Sequence, residues 1–397
     1  MMVASVIWKI FQCLVGFYLV WPSLLSLLWR LRRRTTHLRS TGTPQDTDFA
    51  IIVTAYEQTH TLPAVVSSIL QSNYSNYHVY VVADKCDITG LDFGSQNVSL
   101  LRPAETLGSN TKSHFYAIDR FVRPHTHLTI IDSDNLVHPE YLNELVFVLQ
   151  QGFQAVQGVR EAKNLDTTYA CLDAARDIYY HHYDGKLLFE SGSSATLAGS
   201  GMAFSVPLYK ACLQNNPVEG AGFDKVLQAA IVGRDLRIAF AESAIVYDEK
   251  TSRSDQLVQQ RSRWINTWFK YFSLGFSLVG KGIKNSSLNQ LLFGITLLRP
   301  PLFIFILLSA LCLLINLLVS PLTSLIWLLA FMIFIYGFYS ALSKPTTDRR
   351  IYKSLKNIPN FMYYQLLSLL KIRKANKISV ATKHYHSRSI DKLNEEK

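Results

Sequence analysis

The chain has 397 residues, 49% hydrophobic and only 17% charged, with a formal net charge of +11; ordinary soluble domains carry about 25% charged residues. This composition excludes a disordered chain or a collagen-like repeat and points to membrane segments. The positive charge flanks the apolar runs: residues 344–397 hold 13 Lys+Arg against 4 acids, and Arg30, Arg32, Arg33, Arg34 and Arg39 have no acid nearby. The middle of the chain is slightly acidic, whereas a nucleic-acid binder carries its charge on the folded domain. No nucleic-acid partner is therefore expected.

Ile10 to Trp29 is an uncharged run of 20 residues, which at about 1.5 Å per helical residue spans a hydrocarbon core of roughly 30 Å. A helix is expected there, with a kink at Pro22. Arg30-Leu-Arg-Arg-Arg34 follows the run where a cleaved signal would have small residues, so the segment reads as a retained anchor with its amino end outside. Residues 1–47 form this anchor and a basic linker.

From Asp48 the pattern changes to short β-branched runs alternating with helical stretches. Phe49-Ala-Ile-Ile-Val-Thr54, Val79-Tyr-Val-Val-Ala83 and Leu128-Thr-Ile-Ile131 are nearly all apolar, as strands of a parallel sheet covered on both faces should be. Helices near 62–72 and 110–122 complete the crossovers. Ligands of such sheets bind beyond the carboxyl ends of the strands, where Tyr56-Glu57, Asp84 and Asp132-Ser-Asp134 fall.

Two carboxylates at a strand end suit a hard divalent cation completed by substrate phosphate oxygens. Asp-Ser-Asp is equally ordinary turn and cap chemistry. Asp84 can accept hydrogen bonds from a base or ribose, or act as a turn residue with Asp87. Gln260-Arg-Ser-Arg263-Trp264 lies in a helix expected to start near Ser254, and Gln260, Arg263 and Trp264 at i, i+3 and i+4 share one face. That face offers an amide, a guanidinium able to fork onto a diphosphate and an indole plate for a sugar ring. The competing reading is an interfacial anchor beside a membrane.

The second apolar region, about 291–342, is interrupted by Arg299-Pro-Pro301 and Ser320-Pro-Leu-Thr-Ser324. It reads as an interfacial piece, a span near 302–319, a tight outer turn and a returning span near 322–342, with Lys344, Arg349 and Arg350 inside. Residues 352–373 interleave Tyr, Leu and Met with Lys353, Lys356, Lys371 and Arg373, the pattern of an amphipathic surface helix. Cys13, Cys86, Cys171, Cys212 and Cys312 form no C-x-x-C pair, so neither a disulfide framework nor a zinc site is indicated.

These motifs, in this order, resemble the membrane-bound processive-type family 2 glycosyltransferases, the group containing cellulose, chitin, hyaluronan and poly-N-acetylglucosamine synthases. The matches are Ile51-Ile-Val-Thr-Ala-Tyr56, Asp84 in Val-Val-Ala-Asp-Lys-Cys-Asp87, Leu107-Gly-Ser-Asn-Thr-Lys112, Asp132-Ser-Asp134, Gln157-Gly158, Lys163-Asn164, Gly199-Ser-Gly-Met-Ala-Phe204, Asp224 in Gly222-Phe-Asp-Lys-Val-Leu227, and Gln260 to Trp264. They cover about residues 48–275. Phe223 departs from the family's acidic partner of the catalytic Asp, and Glu57 stands where the family often has Asn.

The resemblance implies an α/β, GT-A-type nucleotide-sugar-binding domain with a mostly parallel sheet over 48–275. An interfacial segment and two spans over 276–343 follow, then a basic cytosolic tail over 344–397. It implies inverting transfer from a nucleotide-sugar, a UDP-sugar by preference, to a saccharide or lipid-linked acceptor, giving a β-linked polysaccharide, oligosaccharide or glycolipid. Asp224 would be the base, and Asp134 would hold Mg2+ or Mn2+. Ala55, Tyr56, Glu57, Asp84, Lys112, Asp132, Ser133 and Asp134 would hold the donor. Gly201, Gln260, Arg263 and Trp264 would serve the acceptor and diphosphate. The enzyme would be a multi-pass protein of the inner or plasma membrane, in contact with its lipid, with catalytic domain and tail cytoplasmic.

Two other classes compete. A transporter would need a larger bundle than three spans, and a catalytically silent scaffold of an export complex would be expected to lose Asp224 or the Asp132/Asp134 pair, which this chain keeps. Few spans also mean that walling a polymer channel would take copies of the chain or export partners; chitin-oligosaccharide synthases are a similar small-span case.

Overall fold

A computed structural model describes residues 2–32, 47–215, 218, 220–371 and 390. Arg33, Arg34, Arg39, Arg373 and most of the basic tail lie outside the described residues. The uncharged amino-terminal run extends into one long helix, α1 (Met2–Arg32), with Pro22 inside it.

Strands apolar on both faces must lie inside a covered sheet, and β1 (Phe49–Tyr56) and β2 (Tyr77–Asp84) do: every residue of β2 is buried. Around them follow α2 (Leu62–Leu70), β3 (Val98–Leu101), α3 (Asn110–Ile118), β4 (His127–Asp132), β5 (Leu136–Val137), α4 (Tyr141–Leu149) and β6 (Ala155–Ala162). Next come α5 (Thr168–Tyr180), a π-helical turn (His181–Leu187), α6 (Leu188–Glu190), β7 (Met202–Ser205), α7 (Val206–Leu213), α8 (Phe223–Val232), β8 (Ile238–Asp248) and α9 (Ser254–Tyr271). The eight described strands form one sheet, ordered β3-β2-β1-β4-β7-β6-β8-β5. Strands β3, β2, β1 and β4 run parallel, as do β6 and β8; β7 is antiparallel to both its neighbours and β5 to β8. This is the mixed α/β architecture with a mostly parallel sheet that was expected.

After α9 come α10 (Leu274–Lys284) and α11 (Leu288–Leu298), a close antiparallel pair where the interfacial segment was expected. Their approach rests on glycines: a Cβ on Gly282 would lie 2.5 Å from the Leu291 nitrogen, and one on Gly294 would lie 2.7 Å from the Val279 nitrogen. Helices α12 (Leu302–Val319) and α13 (Pro321–Leu342) are, with α1, the three described helices long and apolar enough to cross a membrane.

The tight turn expected between the two spans is a single residue, Ser320, because Pro321 fits the first helical turn, where its missing N–H is not needed. One local expectation changes. The amphipathic stretch after Tyr352 is not one helix. It divides into α14 (Arg349–Ser354), a 3-10 turn (Leu355–Asn357) and α15 (Ile358–Leu370), since Pro359 can begin a helix but not continue one.

Gly282→Ala should therefore wedge α10 from α11 and destabilise the chain by about 1–3 kcal/mol, the usual range for overpacking. The melting temperature of the detergent-solubilised protein would fall, whereas Gly280→Ala, with open space around its Cβ position, should leave it unchanged.

Candidate active site

Sheet register assembles the site. Pairing of β1 with β2 sets Tyr56 beside Asp84, and pairing with β4 sets Thr54 beside Asp132. These carboxyl ends open into a cavity of about 1490 Å3 that also receives the start of α8, one face of α9, and residues of α5, α12, α13 and α15. Ala55, Tyr56, Asp84, Asp132, Ser133, Asp134, Asp224, Gln260, Arg263 and Trp264 all line it.

Each of these groups is held from beneath. Buried Asp84 accepts the N–H groups of Leu107 (2.9 Å) and Gly108 (2.8 Å), fixing the loop that leads into α3. The Asp132 N–H donates to the Ser200 hydroxyl at 3.0 Å. Asp134 is buried, and its carbonyl accepts from the Lys163 ammonium at 3.1 Å. Asp224 lies in the first turn of α8, with Lys225 Nζ 3.0 Å from its carboxylate. The cap residue before it, Gly222, has φ +102°, and a Cβ there would sit 2.6 Å from Thr267 and Tyr271 side-chain carbons. Both the backbone geometry and the contact require glycine, and they lock Asp224 against α9. Phe223 turns inward, its ring edge-to-face with buried His114 at 5.1 Å, so an apolar side chain suits this position.

On α9, the Gln260 carbonyl oxygen accepts from the Thr251 hydroxyl at 2.9 Å. Burial pushes the Arg263 guanidinium below its ordinary range. The Trp264 indole is 38% exposed, yet Arg176 and Arg261 each place a guanidinium carbon 4.2 Å from its ring centre. Part of the expected sugar plate is thus already covered.

Three expected site residues do not line the cavity. Glu57 is exposed, adopts φ +59° and pairs with Lys85 at 2.7 Å; an Asn adopts that left-handed geometry more readily. Lys112 projects from the outer side of α3, whose inner side is taken by Thr111, His114, Ala117 and Ile118. Gly201 is buried with φ +65°, its carbonyl accepting the Gly158 N–H at 2.8 Å, so it shapes backbone beneath the site.

Sequence reading missed a buried lattice of charge beside α9. Lys250 reaches Asp177 (2.5 Å) and Asp248 (3.1 Å); Arg160 lies 3.9 and 3.7 Å from the same two carboxylates. Arg176 contacts Asp177 at 2.5 Å and Asp173 at 3.1 Å, and Arg261 pairs with Asp173. Burial alone would push the Asp177 carboxyl up, but Arg176, Lys250 and Arg160 hold it well below the usual carboxylate range. Asp248 is likewise held down, by Lys250 and Arg160 against its burial. The only sequence signal is Asp173, Arg176 and Asp177 at i, i+3 and i+4, which reads as a solvated helix face.

Among the described residues no cluster of three or more His, Cys, Asp or Glu side chains forms a cage for a metal. Asp132 and Asp134, which both line the cavity, nevertheless fit a hard divalent ion, which takes one or two carboxylates and completes its shell with phosphate oxygens and water.

The family model described as "Glycosyltransferase like family 2" matches residues 44–267. No curated protein matches significantly. The mannosyltransferase PcManGT from Pyrobaculum calidifontis, solved in complex with GDP-Man and Mn2+, is similar in fold: TM-score 0.56 at 14% identity, over 91% of this chain and 99% of that one. S. aureus TarS 1-349 aligns with TM-score 0.40 at 14% identity, over 83% of this chain and 90% of that one. The glucosyl-3-phosphoglycerate synthase from Mycobacterium tuberculosis, in complex with Mn2+, UDP and glucosyl-3-phosphoglycerate, aligns with TM-score 0.39 at 15% identity, over 57% and 80%.

Removing the central cation tests the lattice. Lys250→Met leaves Asp177 and Asp248 short of a partner in a buried site, and breaking such a pair costs about 3–5 kcal/mol. In the variant these carboxyls titrate above their native values, so acid neutralises them and relieves the folded state. The stability gap between wild type and variant should be largest near neutrality and narrow toward pH 4, as read from melting curves across that range.

Proposed function

Because this chain belongs to glycosyltransferase-like family 2, we propose that it is a membrane-bound inverting transferase. It moves a sugar from a nucleoside diphosphate donor, a UDP-sugar by preference, to an acceptor hydroxyl. The observation that carries the reading is convergence: Asp84, Asp132, Asp134, Asp224, Gln260, Arg263 and Trp264 come from β2, β4, α8 and α9 and line one cavity.

The donor's nucleotide lies over the carboxyl ends of β1 and β2, against Ala55 and Tyr56, with Asp84 ordering the 107–108 loop beside it. A divalent ion, Mg2+ or Mn2+, held by Asp134 with Asp132 at hand, would supply charge neutralisation at the departing diphosphate. Arg263 adds a fixed positive contact there; its partial burial strengthens the attraction because less water screens it. Asp224 takes the acceptor hydroxyl's proton as that oxygen bonds the anomeric carbon from the face opposite the leaving group. Lys225, paired with Asp224 in the resting site, keeps the base turned toward the cavity until acceptor arrives. The exposed edge of Trp264 supports the acceptor ring. Glu57 and Lys112, outside the cavity, carry no step, and Gly201 acts through backbone shape.

The basic residues flanking α1 and α13 support a cytoplasmic position for the catalytic domain. The product is a β-linked glycan or glycolipid.

Nucleoside diphosphate release should be measured across UDP- and GDP-sugars with manganese or magnesium. Asp224→Asn should cut transfer about 10²–10⁴-fold, the usual weight of a general base, with donor affinity kept; turnover near wild type would exclude Asp224 as the base. Asp134→Ala should remove the manganese-dependent part of donor affinity in calorimetry. Arg263→Lys keeps charge but loses the planar fork, so its rate should fall; a wild-type rate would assign Arg263 to anchoring.

A further inference from the structure

The cavity does not stop at the transferase site. Beyond α9 its wall continues through Phe303 and Ile306 of α12, Phe334 and Phe338 of α13 and Met362 of α15. It therefore runs from polar strand ends to the flanks of two membrane-crossing helices.

Position along α9 and α5 orders its contents. Thr267 packs against the glycine preceding Asp224; Arg261 lies six residues back, about 9 Å along the helix. Arg261 and Arg176 bracket Trp264 and share Asp173. One turn further along α5, Tyr180 lies 5.9 Å from the Arg176 guanidinium and 5.5 Å from that of Arg299. Beside it, Tyr179 meets Phe334 and Phe338. A cationic layer thus separates the base from the apolar end.

That layer is short of acceptors. Arg160, Arg176, Arg261 and Lys250 pair with three carboxylates, Asp173, Asp177 and Asp248, and Asp132 is a fourth charge acting on Arg160. Arg261 is 2% exposed, yet its Nε and Nη1 have no hydrogen-bond partner, and neither do Nε of Arg160 and Arg176. Buried N–H groups without acceptors are costly unless a ligand supplies oxygens, and planar guanidinium forks match phosphate.

We infer that the acceptor is an amphiphile whose phosphate separates a hydroxyl-bearing head from an apolar chain, the phosphate seated on Arg176 and Arg261 and the chain lying between α12, α13 and α15. This rests on the transferase reading above. The head hydroxyl loses its proton to Asp224 and bonds the anomeric carbon; the anomeric C–O bond breaks, its electron pair leaving on the nucleoside diphosphate. The lipid phosphate itself does not react.

The test is binding to the full-length chain in neutral detergent, with neither donor nor metal, so that its failure is separate from failure of transfer. Three probes are compared: a prenyl diphosphate-linked hexose, the same prenyl chain ending in an alcohol, and the hexose diphosphate without the chain. The first should bind at least about tenfold more tightly than either other, the scale of charged hydrogen bonds or of a buried chain. Arg176→Gln and Ile306→Trp should each weaken it about tenfold, with Arg176→Lys between wild type and Gln. Melting curves identify any variant that fails to fold. Equal binding of the alcohol would leave only a greasy groove, and equal binding of the hexose diphosphate only a free-phosphate site; each overturns the inference.

Discussion

A buried ion pair between Asp184 and Arg299 ties the α/β domain to the helices long and apolar enough to cross a membrane. Asp184 belongs to the π-helical turn after α5, and Arg299 immediately precedes the Pro-Pro start of α12. Neither charge is tolerable alone away from water, so the two segments can separate only together with their desolvated partners. The same seam carries the Tyr183 hydroxyl donating to the Gly337 carbonyl at 2.8 Å and the Trp29 indole donating to Glu190 at 2.5 Å. Helices α1 and α13 and the start of α12 are thereby referenced to the π-helical turn and α6 of the α/β domain.

Helix α5 turns that constraint into site geometry. Its middle carries Asp173, Arg176 and Asp177, which organise the charge lattice, and its end carries Tyr179 and Tyr180, which touch α13 and Arg299. The charged part of the cavity wall and its apolar part are thus set by successive turns of one helix. Helix α9 closes the other side, holding Gln260 to Thr251 and Thr267 to Gly222. A shift of α9 would move Arg263, Trp264 and the support of Asp224 together.

Legibility in the sequence followed locality. Strands β1, β2 and β4 were readable because a strand buried on both faces shows an unbroken apolar run, and α9 because its polar face has helical spacing. Strand β5, two residues long, and β7, four, have no periodicity to read; they exist because neighbours pair with them. The lattice around Lys250 was invisible for a different reason. Its members come from β6, α5, the end of β8, the residues just after it, and α9, and only tertiary packing turns an apparently solvated helix face inward. Lys112 shows the converse, a motif position matched while the helix face aims the side chain away, and Glu57, where the family often has Asn, sits in left-handed backbone outside the cavity.

The membrane helices also bear on the acceptor's route. Gln12 of α1 offers one amide oxygen to both Asn316 of α12 (2.5 Å) and Trp327 of α13 (2.9 Å). Inside a bilayer a polar group left unpaired is costly, so this three-way bond ties α1, α12 and α13 to one another. The cavity, by contrast, is lined in part by α12 and α13, two helices apolar enough to cross a membrane.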